Sequence, residues 1–337
     1  MSMLTIWDAP APDAIAAGAE AFLAELPGST VIRVPGRDPT RARAVVTLLH
    51  GNEPSGFRAV HGWLRRGLVP AVDAVIVLAA VAAARVPPGF AHRMLPGGRD
   101  LNRCFRPPFA GVEGAWAAEV LRVLRAARPE ALVDLHNNTG HNPAYGVGTR
   151  VDDVRLGLTA LFARRFVHST IALGALAEVT ADELNAVTIE CGRAGDRVAD
   201  EIAAAGLARF LGADALPLDG PPADMTILAD PIRVAVRPGT RIAFGELPDR
   251  VVDLTLRGDV DRHNFEALLP GVPVGWLRAG ADWPLVAAGA DGEDVSRDYF
   301  VVRDGLLTTR RAMVPIMMTT NVTAALEDCL FYMVHER

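Results

Sequence analysis

The chain has 337 residues, half of them hydrophobic and 22% charged, with a formal net charge of -6. This is the composition of a globular chain; it excludes a disordered tail, and its charge gives no sign of a nucleic-acid partner. Three cysteines, Cys104, Cys191 and Cys329, are odd in number and far apart, which argues against a disulfide framework and fits a reducing compartment.

The first residues, "MSMLTIWDAPAPDAIAAGAEAF", carry no basic leader and no unbroken apolar core, so neither a signal peptide nor an anchor is expected. The longest apolar run, Ala74 to Ala84, falls short of the roughly 20 residues a membrane span needs. A soluble cytoplasmic protein follows, with no membrane or nucleic-acid partner. The length suggests two domains, because a single core rarely grows beyond about 250 to 300 residues.

Up to about residue 217, strand-like and helix-like segments alternate. "RAVVTLLH" (43 to 50), "AVIVLAA" (74 to 80), "ALVDLH" (131 to 136) and "AVTIE" (186 to 190) are short apolar runs, as expected for strands buried on both faces. Between them, Phe57, Val60 and Leu64 mark one helical stripe, and Trp116, Val120, Leu121 and Leu124 mark another that stops before Pro129. Val198, Ile202 and Phe210 mark a third after Glu190. This alternation predicts an α/β fold with a mixed, largely parallel sheet flanked by helices.

"PLDGPPADM" (217 to 225) reads as a linker. Beyond it, Ile232, Val234 and Val236 share one strand face, as do Val252, Leu254 and Leu256, and Asp304-Gly305 is a hairpin signal. The expected organisation is a catalytic α/β domain over 1-217. A smaller β-rich domain follows over 218-337, closed by a helical tail "TAALEDCLFYMVHE" and packed near the active-site cleft. There is no internal repeat and no low-complexity tract.

Three of the four strand candidates end on a metal-competent or acid-base residue: His50, His136 and Glu190. In open α/β sheets ligands sit beyond the carboxyl ends of strands, so residues distant in sequence can converge there. His50, Glu53 and His136 supply the three-ligand His2Glu set of a catalytic zinc site, which leaves one position open for water. Singly, each has an ordinary structural explanation: His50 caps a strand, Glu53 opens a helix near its positive end, and His136 is a satisfied buried histidine. Asp134 points to the same side of its strand as His136, where it either orients that ligand or forms a buried polar pair. Glu190, confined at the end of an apolar strand, has the chemistry of a general base with a raised pKa. The loop "HRMLPGGRDLNRCFRP" (92 to 107) holds four arginines, and Asn102 with Arg103 could hold a substrate carboxylate.

The ordered motifs "HGNE", "DLNRCF", "DLHNNTG" and "TIECG", with "DRHNFEALLPG" and "EDCLFY" in the tail, resemble the succinylglutamate desuccinylase/aspartoacylase family, zinc-dependent deacylases with a carboxypeptidase-like α/β domain and a smaller β-rich domain. The resemblance implies one Zn2+ per chain held by His50, Glu53 and His136. It makes Glu190 the general base and acid, and Asn102 with Arg103 the carboxylate-binding residues. It also implies an upstream arginine that stabilises the oxyanion; Arg93 and Arg99 both stand before "DLNR", and Arg93 is preferred. "NNTGHNPAYG" departs from what an acidic substrate would ask for, offering Asn137, Asn138, His141 and Tyr145 instead of further cations, so Asn137 and Tyr145 join the expected substrate contacts.

His263 and Asn264, in the β-rich domain, are expected to brace the interface and not to ligate metal, and Cys104 and Cys191 to be small packing residues. No G-x-S-x-G elbow, Walker loop or dinucleotide fingerprint is present. The expected activity is zinc-dependent hydrolysis of a small N-acyl amino acid or similar linear amide. A zinc carboxypeptidase acting on peptides and a noncatalytic binding protein that retains the fold are the alternatives. The acyl group, the amine, a homo-oligomeric state and the choice of divalent metal remain open.

Overall fold

A computed structural model describes residues 3-217, 220, 223-288 and 292-334. Among them, nine strands form the main sheet: β1 (Thr5–Asp8), β2 (Thr30–Val34), β3 (Asp38–Thr47), β4 (Val72–Leu78), β5 (Ala131–Asn138), β6 (Tyr145–Gly148), β7 (Arg165–His168), β8 (Ala186–Arg193) and β9 (Thr226–Ala229). They lie in the order β1-β2-β4-β3-β5-β8-β6-β7-β9. β3 runs parallel to both β4 and β5, while β2–β4 and β6–β8 are antiparallel, so the sheet is mixed with a parallel centre.

The apolar runs are continuous because both faces of the sheet are covered. Val45 of β3 enters one core with Ile76 and Val133, whereas Ala44 and Val46 enter another with Val75, Val77 and Leu132. The first core is closed by α1 (Ala19–Glu25), α2 (Ser55–Arg65), α5 (Asp153–Ala160) and α7 (Arg197–Gly212). The second is closed by α4 (Gly111–Ala127) and α6 (Leu176–Val179), whereas α3 (Val81–Arg85), which follows β4, sends Val81 and Ala84 into the first core. The predicted stripes on α2 and α4 are buried as read. That on α7 is so only in part: Phe210 is buried and Ile202 partly so, but Val198 is exposed, and the buried face is Ala199, Ala203, Leu207 and Phe210. Gly206 on this face lies against the Phe162 ring so closely that a Cβ would stand 2.0 Å from it. The alanines and this glycine supply a close approach that a search for large apolar residues overlooks.

Two strand ends also differ from the sequence reading. β3 stops at Thr47, and Leu48 turns the chain with φ 57°, so His50 sits on a loop and not at a strand terminus. β8 continues three residues past Glu190, which is therefore inside a strand.

The chain divides into two compact units, one of Met1–Asn137 with Ala144–Ile227, the other of Asn138–Pro143 with Leu228–Arg337. Residues 218, 219, 221 and 222 of the sequence-read linker lie outside the described residues. The second unit holds two small sheets. One is built from β10 (Ile232–Val236), β14 (Leu285–Ala287), β17 (Val314–Ile316) and β18 (Phe331–Val334). The other is built from β11 (Ile242–Gly245), β12 (Leu254–Arg257), β13 (Pro273–Leu277), β15 (Phe300–Arg303) and β16 (Leu306–Thr309), with α8 (Ser296–Tyr299) leading into β15. Asp304 and Gly305 both have positive φ, as a two-residue turn between β15 and β16 requires.

The expected helical tail is half wrong. α9 covers only Val322–Glu327, and the following "FYMV" is strand β18, wholly buried and paired with both β10 and β17. Aromatic and β-branched side chains between two strands favour the sheet over another helical turn. Asn264 ties together segments within this unit: its Nδ2 lies within hydrogen-bond distance of the carbonyls of His141, Asp261 and Met318, and its Oδ1 accepts from the Met318 N–H. Among the described residues no helix is long and apolar enough to cross a membrane.

Candidate metal centre

Three elements of the first unit carry the site. The turn after β3 holds His50 and Glu53, β5 holds Asp134, His136 and Asn137, and β8 holds Glu190. Glu53 stands just before Pro54, the N-cap of α2, where the helix N-terminus favours a carboxylate. Alternation along β5 puts Asp134 and His136 on one side of the strand.

These residues converge. Ligand atoms of His50, Glu53 and His136 all lie within 4.8 Å of one another, and all three side chains are buried. His50 Nδ1 faces Glu53 Oε1 at 2.8 Å and His136 Nδ1 faces Glu53 Oε2 at 2.7 Å. Behind each ring stands an aspartate: His50 Nε2 meets Asp100 Oδ1 at 3.0 Å, and His136 Nε2 meets Asp134 Oδ2 at 2.9 Å.

Each imidazole thus lies between two carboxylates. A neutral ring has one N–H and one lone pair, and if Nε2–H is given to the aspartate, the Nδ1 lone pair confronts a carboxylate oxygen of Glu53. A positive centre must therefore sit among the two Nδ1 atoms and Glu53, either as added protons or as a cation. Ring nitrogens backed by carboxylates and aimed at a shared point, with a third anionic ligand, match the donor set and supporting shell of a divalent metal site.

The electrostatics show the same tension. Burial works to raise the Glu53 pKa, but His50 and His136 outweigh it and hold the carboxyl below its usual range. Burial acts to lower the His136 pKa, and Asp134 with Glu53 overcome it, raising it well above the ordinary histidine value. Asp100 is likewise held low against burial by His50, Arg93 and Arg103. Glu190 goes the other way: burial, reinforced by Glu53 and Asp134 and opposed by His136 and His50, pushes it up to about 7. Asp134 is fully buried, and its Oδ1 has no hydrogen-bond partner among the described residues.

The two candidate arginines separate clearly. Arg93 donates from Nε and Nη2 to Asp100 Oδ2 at 3.1 and 2.8 Å, and its Nη1 is 3.6 Å from Glu53 Oε1. Arg99 is exposed and donates to the Ala110 carbonyl at the start of α4. Asn102 is buried, its Oδ1 accepting from the Leu176 N–H at 2.9 Å, and Arg103 Nη1 reaches the Asn102 carbonyl at 3.1 Å.

The other two residues expected to contact substrate, Tyr145 and Asn137, are both buried. Tyr145 has no exposed surface and lies opposite Glu190 in the antiparallel β6–β8 register, so the two side chains stand on the same face of the sheet. Asn137 has both amide N–H donors engaged within the protein, on Ser55 Oγ at 2.9 Å and the Gly192 carbonyl at 3.1 Å, so neither is left for a substrate. Sequence reading missed Asp100, the residue that binds both His50 and Arg93. Its signal was its place two residues before Asn102, where it accepts the Asn102 N–H at 2.9 Å and sets the turn. Cys104 and Cys191 are buried free thiols, and burial pushes both thiol pKa values up, in keeping with a packing role.

No family model matches the chain, and no curated protein matches it. Solved structures do. The chain superposes on succinylglutamate desuccinylase from Vibrio parahaemolyticus with a TM-score of 0.58 and 14% identity, covering 94% of both chains. It matches succinylglutamate desuccinylase/aspartoacylase from Rhodobacter sphaeroides with a TM-score of 0.54 and 17% identity, over 87% of this chain and 83% of that one. Murine aminoacylase 3 gives 0.50 and 19%, over 89% and 96%. The fold of this chain is the one those deacylases have.

Proposed function

We propose that the chain is a zinc-dependent hydrolase that cleaves the amide bond of a small N-acyl amino acid or a related N-acylated compound. The observation that carries this reading is the pair of imidazoles, each held between two carboxylates and both aimed at Glu53. The likeness in fold to a succinylglutamate desuccinylase and an aminoacylase supports the choice of substrate class.

His50, Glu53 and His136 would hold the ion. When bound, zinc supplies Lewis acidity that polarises a carbonyl and lowers the pKa of water to about 7. The protein's own groups handle the protons and the substrate. Glu190, with a pKa near 7, takes a proton from the attacking water as the C–O bond forms and delivers it to the amine nitrogen as the C–N bond breaks. The products are a carboxylate and a free amine. Arg93, fixed by two hydrogen bonds to Asp100, presents its guanidinium to the oxygen of the scissile carbonyl, where negative charge develops. Arg103 and Asn102 sit on the next turn and hold the substrate carboxylate, which orients the amide against the base.

The test is a screen of acylated amino acids for released amine, with zinc-loaded and chelator-treated protein side by side. Release from at least one short N-acyl amino acid, abolished by chelator and restored by zinc, is expected. Preference for long peptides, activity indifferent to chelator, or a chain unable to take up zinc would overturn the reading.

A further inference from the structure

Helix α2 begins with an unusual problem. Its N-cap is Pro54, which offers no side-chain oxygen to the free N–H groups of the first turn, and no side-chain cap is made there. The Ser55 N–H instead donates to Oδ1 of Asn137, 82 residues away on β5, at 3.0 Å. The same amide gives one Nδ2 hydrogen to Ser55 Oγ at 2.9 Å and the other to the Gly192 carbonyl of β8 at 3.1 Å. Ser55 Oγ passes its own hydrogen to Asp200 Oδ1 at 2.6 Å, and Asp200 Oδ2 accepts from Arg58 Nη1 at 3.0 Å. The orientation of the amide is unambiguous, because reversing it would set its NH2 against the Ser55 N–H and its oxygen against the Gly192 carbonyl.

This network joins the three elements that carry the site. Ser55 is two residues after Glu53, Gly192 is two residues after Glu190, and Asn137 follows His136 directly. The backbone N–H of Asn137 also donates to Glu53 Oε2 at 3.2 Å. A carboxamide is the one neutral group that can accept from the helix N-terminus and donate to both a hydroxyl and a carbonyl.

We propose that Asn137 is a positioning residue, fixing the distance between the Glu53 turn and the Glu190 strand, and not a residue that contacts substrate. The inference rests on the proposed hydrolase reading. Loss of the amide lets the turn and β8 separate, which weakens the ligand set and misplaces the base while leaving the substrate's own contacts intact.

The experiment compares wild type with Asn137→Ala, Asn137→Asp and Ser55→Ala. Zinc affinity is measured by chelator competition without substrate, kcat and KM on zinc-saturated enzyme, and hydrogen exchange at the Ser55 amide. Asn137→Ala is expected to weaken zinc binding about 10- to 100-fold, the range typical of outer-shell partners, and to lower kcat with KM changed less than about threefold. Asn137→Asp keeps the acceptor for the Ser55 N–H but loses both donors, so the Ser55 amide stays protected while kcat falls. Ser55→Ala, which keeps the amide's bond to the helix, shows a smaller loss in the same direction and serves if Asn137→Ala fails to fold. A KM raised tenfold or more with zinc affinity and kcat unchanged would overturn the proposal in favour of substrate contact; no change in any of them would overturn it outright. Wild-type protein that takes up no zinc would count against the hydrolase reading, and Ser55 amide exchange would still decide whether Asn137 is the brace.

Discussion

The two halves of the candidate metal centre are built on opposite principles. His136, Asp134 and Glu190 ride on β5 and β8, where the strand period itself aims them and buried neighbours lock them. His50, Glu53, Arg93 and Asp100 ride on the turn after β3 and on the 92-103 loop, where no period operates and hydrogen bonds between distant residues do the aiming. In the strand half a residue's direction follows from its position in the sequence. In the loop half, one carboxylate, Asp100, sets the direction of two others' partners, taking His50 on Oδ1 and Arg93 on Oδ2.

The largest effect should come from the strand half. Glu190→Gln removes the proposed proton carrier without touching a proposed ligand, so kcat should fall by about 10²- to 10⁴-fold, with metal content by atomic absorption unchanged. Full turnover in this variant would remove Glu190 from the mechanism.

The comparison between halves is sharpened by two matched variants. Asp134→Asn and Asp100→Asn each take a carboxylate from behind one histidine, and each should weaken metal binding by about 10- to 100-fold. Only Asp100→Asn also loosens Arg93, so at saturating zinc it should lose a further roughly tenfold or more in kcat that Asp134→Asn does not. Equal kcat losses in the two variants would mean that Arg93 needs no such support.

The smallest effect is on stability. Glu190 has its folded pKa raised from 4.5 to about 7, chiefly by burial, so between those values the folded chain keeps a proton that the unfolded chain has released. Stability contributed by this group is therefore present below 4.5 and is lost as pH rises toward 7. Urea midpoints of the metal-free protein at pH 5 and pH 7 should show a decline that is shallower in Glu190→Gln. Identical slopes would show that Glu190 titrates normally.

Much of this was legible in the sequence because it depends on local pattern. The apolar runs of β3, β4, β5 and β8, the stripes of α2 and α4, and the Asp304-Gly305 turn each express a backbone period or a φ preference within a few residues. The α7 stripe misled because the first half of its buried face is alanine, Ala199 and Ala203, with Gly206 among the larger Leu207 and Phe210. The tail misled because "FYMV" acquires its strand only by lying between β17 and β10, the latter a pairing across nearly one hundred residues.

The residue types at the site were set by sequence alone: two imidazoles, four carboxylates and a guanidinium, in motifs whose chemistry points to a divalent ion. Which of them meet was a matter of tertiary structure. Arg93 and not Arg99 reaches Glu53, Asp100 stands behind His50, and Asn137 faces inward to Ser55 and Gly192 instead of outward to a ligand. The reason is physical. Hydrogen bonds on loops join groups separated by tens of residues and leave no period in the chain, whereas a strand writes the direction of its side chains into every second position.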